Sequence, residues 1–230
     1  MMQALKESSI NTLGVSWFNW GVGENHAKVL LRDIKASGAD VIFFVGNSAE
    51  GATFMKAMIE LPQSIHLPIR SHWGITGGDF TNQVTASQRK QIDLQFIQTN
   101  FSFSNDNLSE LAKNVLATAI KSNSNIQQSA DIKAQTGFIH AYDLTKIVIA
   151  AINQVKLTGN RDRDKDLVHY ALEHLEQPVL GLLKKYHRPF TPYSKSTLNA
   201  HEALTMEDYT MGTYTSSNEI TLLNSSGHNH

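Results

Sequence analysis

The stretch A-D-V-I-F-F-V-G-N-S-A-E-G-A-T-F-M-K-A-M, residues 39–58, constrains this chain more than any other. Five apolar residues in a row, Val41 to Val45, are of strand length, and they show no alternation of the kind a half-wet strand requires. They read as a strand of a parallel sheet covered on both faces. Gly46, Asn47 and Ser48 then turn the chain into a segment of helical composition, residues 49–60, which stops before Pro62. A strand that feeds into a helix in this way is half of a β-α-β unit, so the next strand should lie parallel to it.

The surroundings fit that unit. Residues 25–37 place Ala27, Leu30, Leu31 and Ile34 at helical spacing with Lys28, Arg32 and Lys35 opposite, and Gly38 supplies a C-terminal stop. Short strands are expected at 67–71 and 92–98, separated by H-W-G-I-T-G-G-D-F, whose three glycines mark a loop. Residues 10–20, I-N-T-L-G-V-S-W-F-N-W, are rich in β-branched and aromatic side chains and read as a further strand, ended by Gly21 and Gly23. Residues 1–7 have helical composition.

The second half reads differently, with amphipathic helices at 108–122, 136–156 and 161–175. A polar loop near 189–192, strands at 209–214 and 219–223, and a disordered end at 224–230 follow. No internal repeat or low-complexity linker interrupts the chain.

Composition narrows the partners. Twenty basic and twenty-one acidic residues give a formal net charge of -1, which lacks the electrostatic footprint of a nucleic-acid or anionic-membrane binder. The absence of cysteine removes disulfides, thiolate metal sites and thiol nucleophiles. No apolar run approaches the roughly 20 residues needed to cross a bilayer as a helix.

Ten histidines raise the question of a metal, yet none falls in H-x-x-x-H or H-E-x-x-H, and His169 and His174 are five apart, which splays them on a helix. They are expected to be scattered surface and packing residues, with His228 and His230 in the loose tail. No metal and no cofactor is expected. There is no G-x-S-x-G elbow and no phosphate-binding glycine pattern. The run R-D-R-D-K-D at 161–166 reads as a solvated helix start.

Two loops remain, N-S-A-E and S-H-W-G-I-T, each following a strand. In an open parallel sheet ligands bind outside the carboxyl ends of strands, where helix N-termini supply free N–H groups. Asn47, Ser48, His72, Trp73 and Gly74 are therefore the candidate ligand-binding residues. Asn47 and Ser48 are equally natural N-caps, a role compatible with a ligand contact. Trp73, flanked by glycine and polar residues, reads as a platform for a ligand. Glu50, in the first helical turn, is expected to neutralise N–H groups of its own helix.

The order N-H-A-K-V-L-L-R-D-I-K-A-S-G-A-D-V-I-F-F-V-G-N-S-A-E-G-A-T-F-M-K-A-M, then L-P-I-R-S-H-W-G-I-T-G-G-D-F, resembles the type I periplasmic binding proteins, especially the branched-chain amino acid and amide branch of transporter solute receptors. T-G-F-I-H-A-Y-D-L-T-K-I-V-I-A-A-I-N resembles that family's long helix, with its glycine, Tyr-Asp and apolar run. The similarity runs from about residue 10 to 223 and rests on the order and spacing of loose motifs.

That resemblance implies an α/β fold of parallel sheets flanked by helices in Rossmann-like lobes, here a partial two-lobe clamshell whose first lobe lies mostly upstream. It implies a second-lobe portion at 1–75, a crossover and lobe-one strand at 76–105, a helical portion at 106–190, a last crossover with terminal strands at 191–223, and a tail at 224–230. It further implies a non-enzymatic, periplasmic or extracellular solute-binding component of an ABC-type importer, which closes like a hinge and meets a permease. Exposed lobe edges would favour homodimers or strand exchange. Asn47 falls where such receptors place a lobe-two ligand contact, and Trp73 falls where several place an acid for the ligand's ammonium. A tryptophan there suits a planar, aromatic or amide-like solute better than an ordinary amino acid. His201 and Glu202, a histidine and acid before the final strands, receive no role from the resemblance. Two alternatives stay open: a ligand-sensing extracellular domain of a signalling receptor or sensor kinase, and a Rossmann-like enzyme, which would need a phosphate loop or acid–base pair not found here.

Overall fold

The computed structural model describes residues 10–223. The helix expected at 1–7, the disordered end expected at 224–230, and His228 and His230 lie outside the described residues. Helices alternate with strands in the order α1 (Glu24–Ala36), β1 (Ile42–Phe44), α2 (Ser48–Ile59), β2 (Ile69–Ser71), α3 (Phe80–Gln83), α4 (Ala86–Arg89) and β3 (Leu94–Thr99). Then come α5 (Glu110–Ser122), α6 (Gln135–Gln154), α7 (Arg161–Glu173), β4 (Val179–Leu180), β5 (Lys185–Tyr186), β6 (Tyr209–Tyr214) and β7 (Ile220–Leu223). The sheet has the hydrogen-bonded order β1-β2-β3-β6-β7, while β4 and β5 pair separately.

The expected parallel unit is present. β1 pairs parallel with β2 from Ile42↔Ile69 to Phe44↔Ser71, and β2 with β3 from Ile69↔Leu94 to Ser71↔Phe96. The chain divides into two compact units, one of residues up to 97 with 213–218, the other of 98–212 with the chain beyond 218.

In the first unit α2 is buried along much of its surface, at Ala52, Phe54, Met55, Ala57 and Met58 among others, as a crossover helix lying on a sheet should be. Phe44, Phe54 and Phe18 form an aromatic cluster with ring centroids 4.9–5.7 Å apart. Tyr214 stacks on Phe80 and meets Phe96, and the Arg89 guanidinium lies 5.3 Å over its ring. Arg89 also donates to the Val84 and Thr215 carbonyls and to Asn218 Oδ1, so a buried charge is held by hydrogen bonds on several sides.

The second unit contains two apolar clusters bordering α6. One joins Ile147 and Ala151 to Ala171, Leu175, Val179 and Tyr186; the other joins Ile139 to Phe103, Ala112, Ile132 and Leu182. Asp143, on the same helix and 2% exposed, accepts hydrogen bonds from Leu182 N, Leu183 N and the Tyr186 hydroxyl. Burial and that carboxylate push the Tyr186 hydroxyl well above its usual range, so it stays a donor. Ser109 and Asn160 cap α5 and α7 by accepting from Ala112 N and Arg163 N. Asp164 accepts from Thr158 N and Gly159 N, which holds its carboxyl below the usual range at the solvated start of α7.

Three expectations fail. Residues 10–20 form no strand: Trp17 and Trp20 are 84% and 80% exposed, and only Phe18 packs inward, onto Phe44 and Phe54. Strand preference measures fit to a pleated, half-buried surface, and among the described residues no sheet includes this segment. The β1 run is not covered on both faces, because Phe43 and Val45 are exposed while Phe44 is buried; among the described residues β1 ends the strand order and has one strand neighbour. The loop at 72–80 holds a 3-10 turn, Trp73–Thr76, and the start of α3. The β4–β5 hairpin has no counterpart in the sequence reading.

Candidate functional site

Parallel strands that begin at one edge end together at the other, so β1 and β2 deliver their following loops to the same edge of the sheet. After β1 the chain passes Val45 and Gly46 to Asn47, the N-cap of α2, whose carbonyl accepts from Gly51 N at 2.8 Å. The Asn47 side chain makes no capping hydrogen bond and is exposed. The capping role that the sequence left open is therefore positional, without a side-chain hydrogen bond.

After β2 the chain reaches His72, the N-cap of the 3-10 turn, whose Nδ1 accepts from Gly74 N at 2.7 Å. With Nδ1 as acceptor, a neutral ring carries its proton on Nε2. Burial lowers the His72 pKa, which keeps that neutral donor form at neutral pH. Trp73 is 42% exposed, and its ring meets His72 edge-on at 6.0 Å. Its carbonyl is occupied by Thr76 Oγ1 at 2.7 Å, which fixes the turn beneath the indole.

The two loops converge closely. A Cβ placed on Gly74 would stand 2.8 Å from the Gly46 carbonyl oxygen, a backbone atom with no freedom to retreat. One on Gly78, at φ +56, would stand 2.6 Å from Ser48 Oγ. Glycine at these positions is what lets the 72–79 loop lie against the start of α2. Gly74 thus acts through its missing side chain. The structure brings the loops that carry Asn47, Ser48, His72, Trp73 and Gly74 together, with the Trp73 indole and the Asn47 side chain exposed.

Glu50 departs from its expected role. It is 6% exposed, its Oε1 accepts from Gly21 N at 3.2 Å, and its Oε2 is buried with no hydrogen-bond partner among the described residues. A buried carboxylate oxygen without a protein donor is costly. The sequence carried a signal for it: an acid in the first turn of a helix with few polar residues has little wet surface to point toward.

A hollow of about 590 Å³ in the second unit is lined by His174, Leu175, Glu176, Pro178, His187 and Arg188, and none of Asn47, Ser48, His72, Trp73 and Gly74 lines it.

No family model matches the chain, and no curated protein matches it. Among solved structures it is similar to a type 1 periplasmic binding protein from Bordetella pertussis Tohama I, with 16% identity and TM-score 0.68, over 96% of this chain and 55% of that one. It is similar to an ABC transporter substrate-binding protein of Aeropyrum pernix, with 14% identity and TM-score 0.67, over 96% and 54%. It is also similar to a branched-chain amino acid transporter substrate-binding protein from Streptococcus pneumoniae in complex with isoleucine, with 19% identity and TM-score 0.54, over 85% and 47%. The chain has the fold of the type I periplasmic binding proteins and spans about half the length of these chains.

Proposed function

We propose that this chain carries part of the solute-binding component of an ABC-type importer, periplasmic or extracellular, which binds a small amino-acid-like, amide or aromatic solute and performs no catalysis. One observation carries the reading: an exposed Trp73 and an Asn47 carboxamide that makes no capping hydrogen bond lie on neighbouring loops at the carboxyl ends of two parallel strands, where the Gly74 and Gly46 backbones approach closely. Such a surface stacks on a planar group and exchanges hydrogen bonds with an amide or carboxylate. Ser48 and the neutral His72 add a hydroxyl and an N–H donor. Glu50 Oε2 supplies the anion that an α-ammonium group would need, in the first turn of the same helix that Asn47 caps.

In this reading residues 1–75 are the second-lobe wall, 76–105 and 191–223 carry crossovers, and 106–190 the helical portion. Hinge closure over the wall presents a bound form to a permease, and solute affinity biases the open and closed states. Similarity to an isoleucine complex supports including branched aliphatic amino acids among the candidates.

The test is a thermal-shift and calorimetric screen of amino acids, primary amides and aromatic acids on the full-length protein, with Trp73→Ala and Glu50→Gln. The expected result is a saturable shift that Trp73→Ala abolishes. Glu50→Gln should weaken only ammonium-bearing solutes, by tenfold or more, which corresponds to about 1.4 kcal/mol. No saturable shift across the panel, or a shift indifferent to Trp73→Ala, would overturn the reading.

A further inference from the structure

On α7, His169 and Glu173 are four residues apart, the spacing that stacks two side chains on one helical face. His201 arrives from the loop that follows β5 and places its Nε2 2.9 Å from Glu173 Oε1, with His169 Nε2 3.4 Å from the same oxygen. One ligand atom from each of the three residues lies within 4.8 Å of the others. His201 is thus paired with Glu173, not with its sequence neighbour Glu202. His174, which the sequence set beside His169, stacks on Tyr170 at 4.0 Å with its Nδ1 against the Tyr170 carbonyl.

We infer that His169, Glu173 and His201 form a binding site for a divalent transition-metal ion of the zinc class. Two imidazole nitrogens and a carboxylate oxygen are a known zinc donor set, with bonds of about 2.0–2.2 Å. A tetrahedral ion with such bonds needs its donors roughly 3.4 Å apart. The two separations around Glu173 Oε1, 2.9 and 3.4 Å, already approach that edge, so small rotamer adjustments of exposed side chains complete the trio. Two nitrogen donors disfavour magnesium and calcium, which take oxygen.

The ion would take the place of the hydrogen between His201 Nε2 and the carboxylate: a neutral imidazole carries that hydrogen on Nδ1 instead, by exchange through solvent, which frees the Nε2 lone pair for the metal. Water would fill the fourth position, since His169 and His201 are both more than half exposed. Glu173 is the sheltered member, 14% exposed, and its Oε1 is the atom that both histidines approach. The Phe190 and Tyr193 rings stand 6.5 and 6.3 Å from the His201 ring and narrow its range of orientations. The physical consequence is a clip, which fastens the loop bearing His201 to α7. This inference is independent of the solute reading.

The experiment is isothermal titration of chelator-stripped protein with zinc chloride, in a background carrying His228→Ala and His230→Ala so that the tail offers no competing imidazoles. The expected result is one ion per chain, with affinity reduced at least about tenfold by His201→Ala and by His169→Gln, unchanged by His174→Ala, and no response to magnesium. Cobalt in place of zinc should give the intense visible bands of a four-coordinate site, lost in the same variants. Unfolding midpoints without metal should agree across the variants, because these side chains are exposed. Absence of saturable zinc binding, or binding that survives both His201→Ala and His169→Gln, would overturn the assignment.

Discussion

The strand-end loops of the first unit and the Asp143 knot of the second use polar groups in opposite ways. Asp143 is deeply buried, and its two carboxylate oxygens accept three hydrogen bonds from one hairpin. Nothing is left over for a ligand. Around Trp73 two backbone groups are satisfied by tight local turns, while among the described residues the Asn47 carboxamide makes no capping hydrogen bond and one Glu50 oxygen has no partner. A polar group whose bonding capacity is spent inside the fold is structural, and one with capacity in reserve is available for recognition.

The sharpest way to break that contrast is Asp143→Ala, which orphans two buried N–H groups and a tyrosine hydroxyl. It should lower stability by about 3 kcal/mol or more, read by urea unfolding, and displace residues 181–183. Gly181→Ala should act on the same knot, because its Cβ would fall 2.5 Å from the Asp143 carboxylate. In the first unit Gly74→Ala drives a methyl against the Gly46 carbonyl. It should lower stability by about 1–3 kcal/mol and separate the two loops, so solute response falls together with stability.

Acid titration gives a smaller effect with a definite sign. The folded state holds His72 below the ordinary imidazole value near 6.5, so the unfolded chain takes up the proton first. Its stabilising contribution is full above about pH 6.5 and is lost as pH falls through the folded value. His140, lowered by burial as well, adds a slope of the same sign. Replacing His72 with Gln should flatten part of the decline between neutral and mildly acid pH; an unchanged slope would show that the ring is not sheltered. The smallest effect on stability is expected for Trp73→Ala. Removing a 42%-exposed indole should change the unfolding free energy by less than about 1 kcal/mol, while it removes the solute response.

Where one physical signal dominated, the sequence was legible. The apolar faces of residues 25–37 and 108–122 and the run into Asn47 and Ser48 specify helices and a parallel strand by local pattern alone. The positions of the two loops after β1 and β2 were legible for the same reason, since a polar turn after a strand has a fixed place in a β-α-β unit. The segment holding Trp17 and Trp20 was not, because strand formation needs a partner edge that composition does not supply. The β4–β5 hairpin follows from the grip of Asp143 on residues 182 and 183, almost forty positions away.

The same division separates the two candidate sites. Trp73 could be read locally, as an aromatic residue in a glycine-bearing loop. His169, Glu173 and His201 could be read only in part: the four-residue spacing on α7 lay in the sequence, but the third donor depended on where the chain returned after β5. By itself the sequence determined the strand–turn–helix unit and the polar residues at its tip, because hydrophobic periodicity and turn chemistry act over a few residues. Only the tertiary structure decided that Glu50 is buried against the Gly21 backbone, that Asp143 is spent on a hairpin, and that His201 meets Glu173, because burial and long-range pairing depend on the whole packed chain.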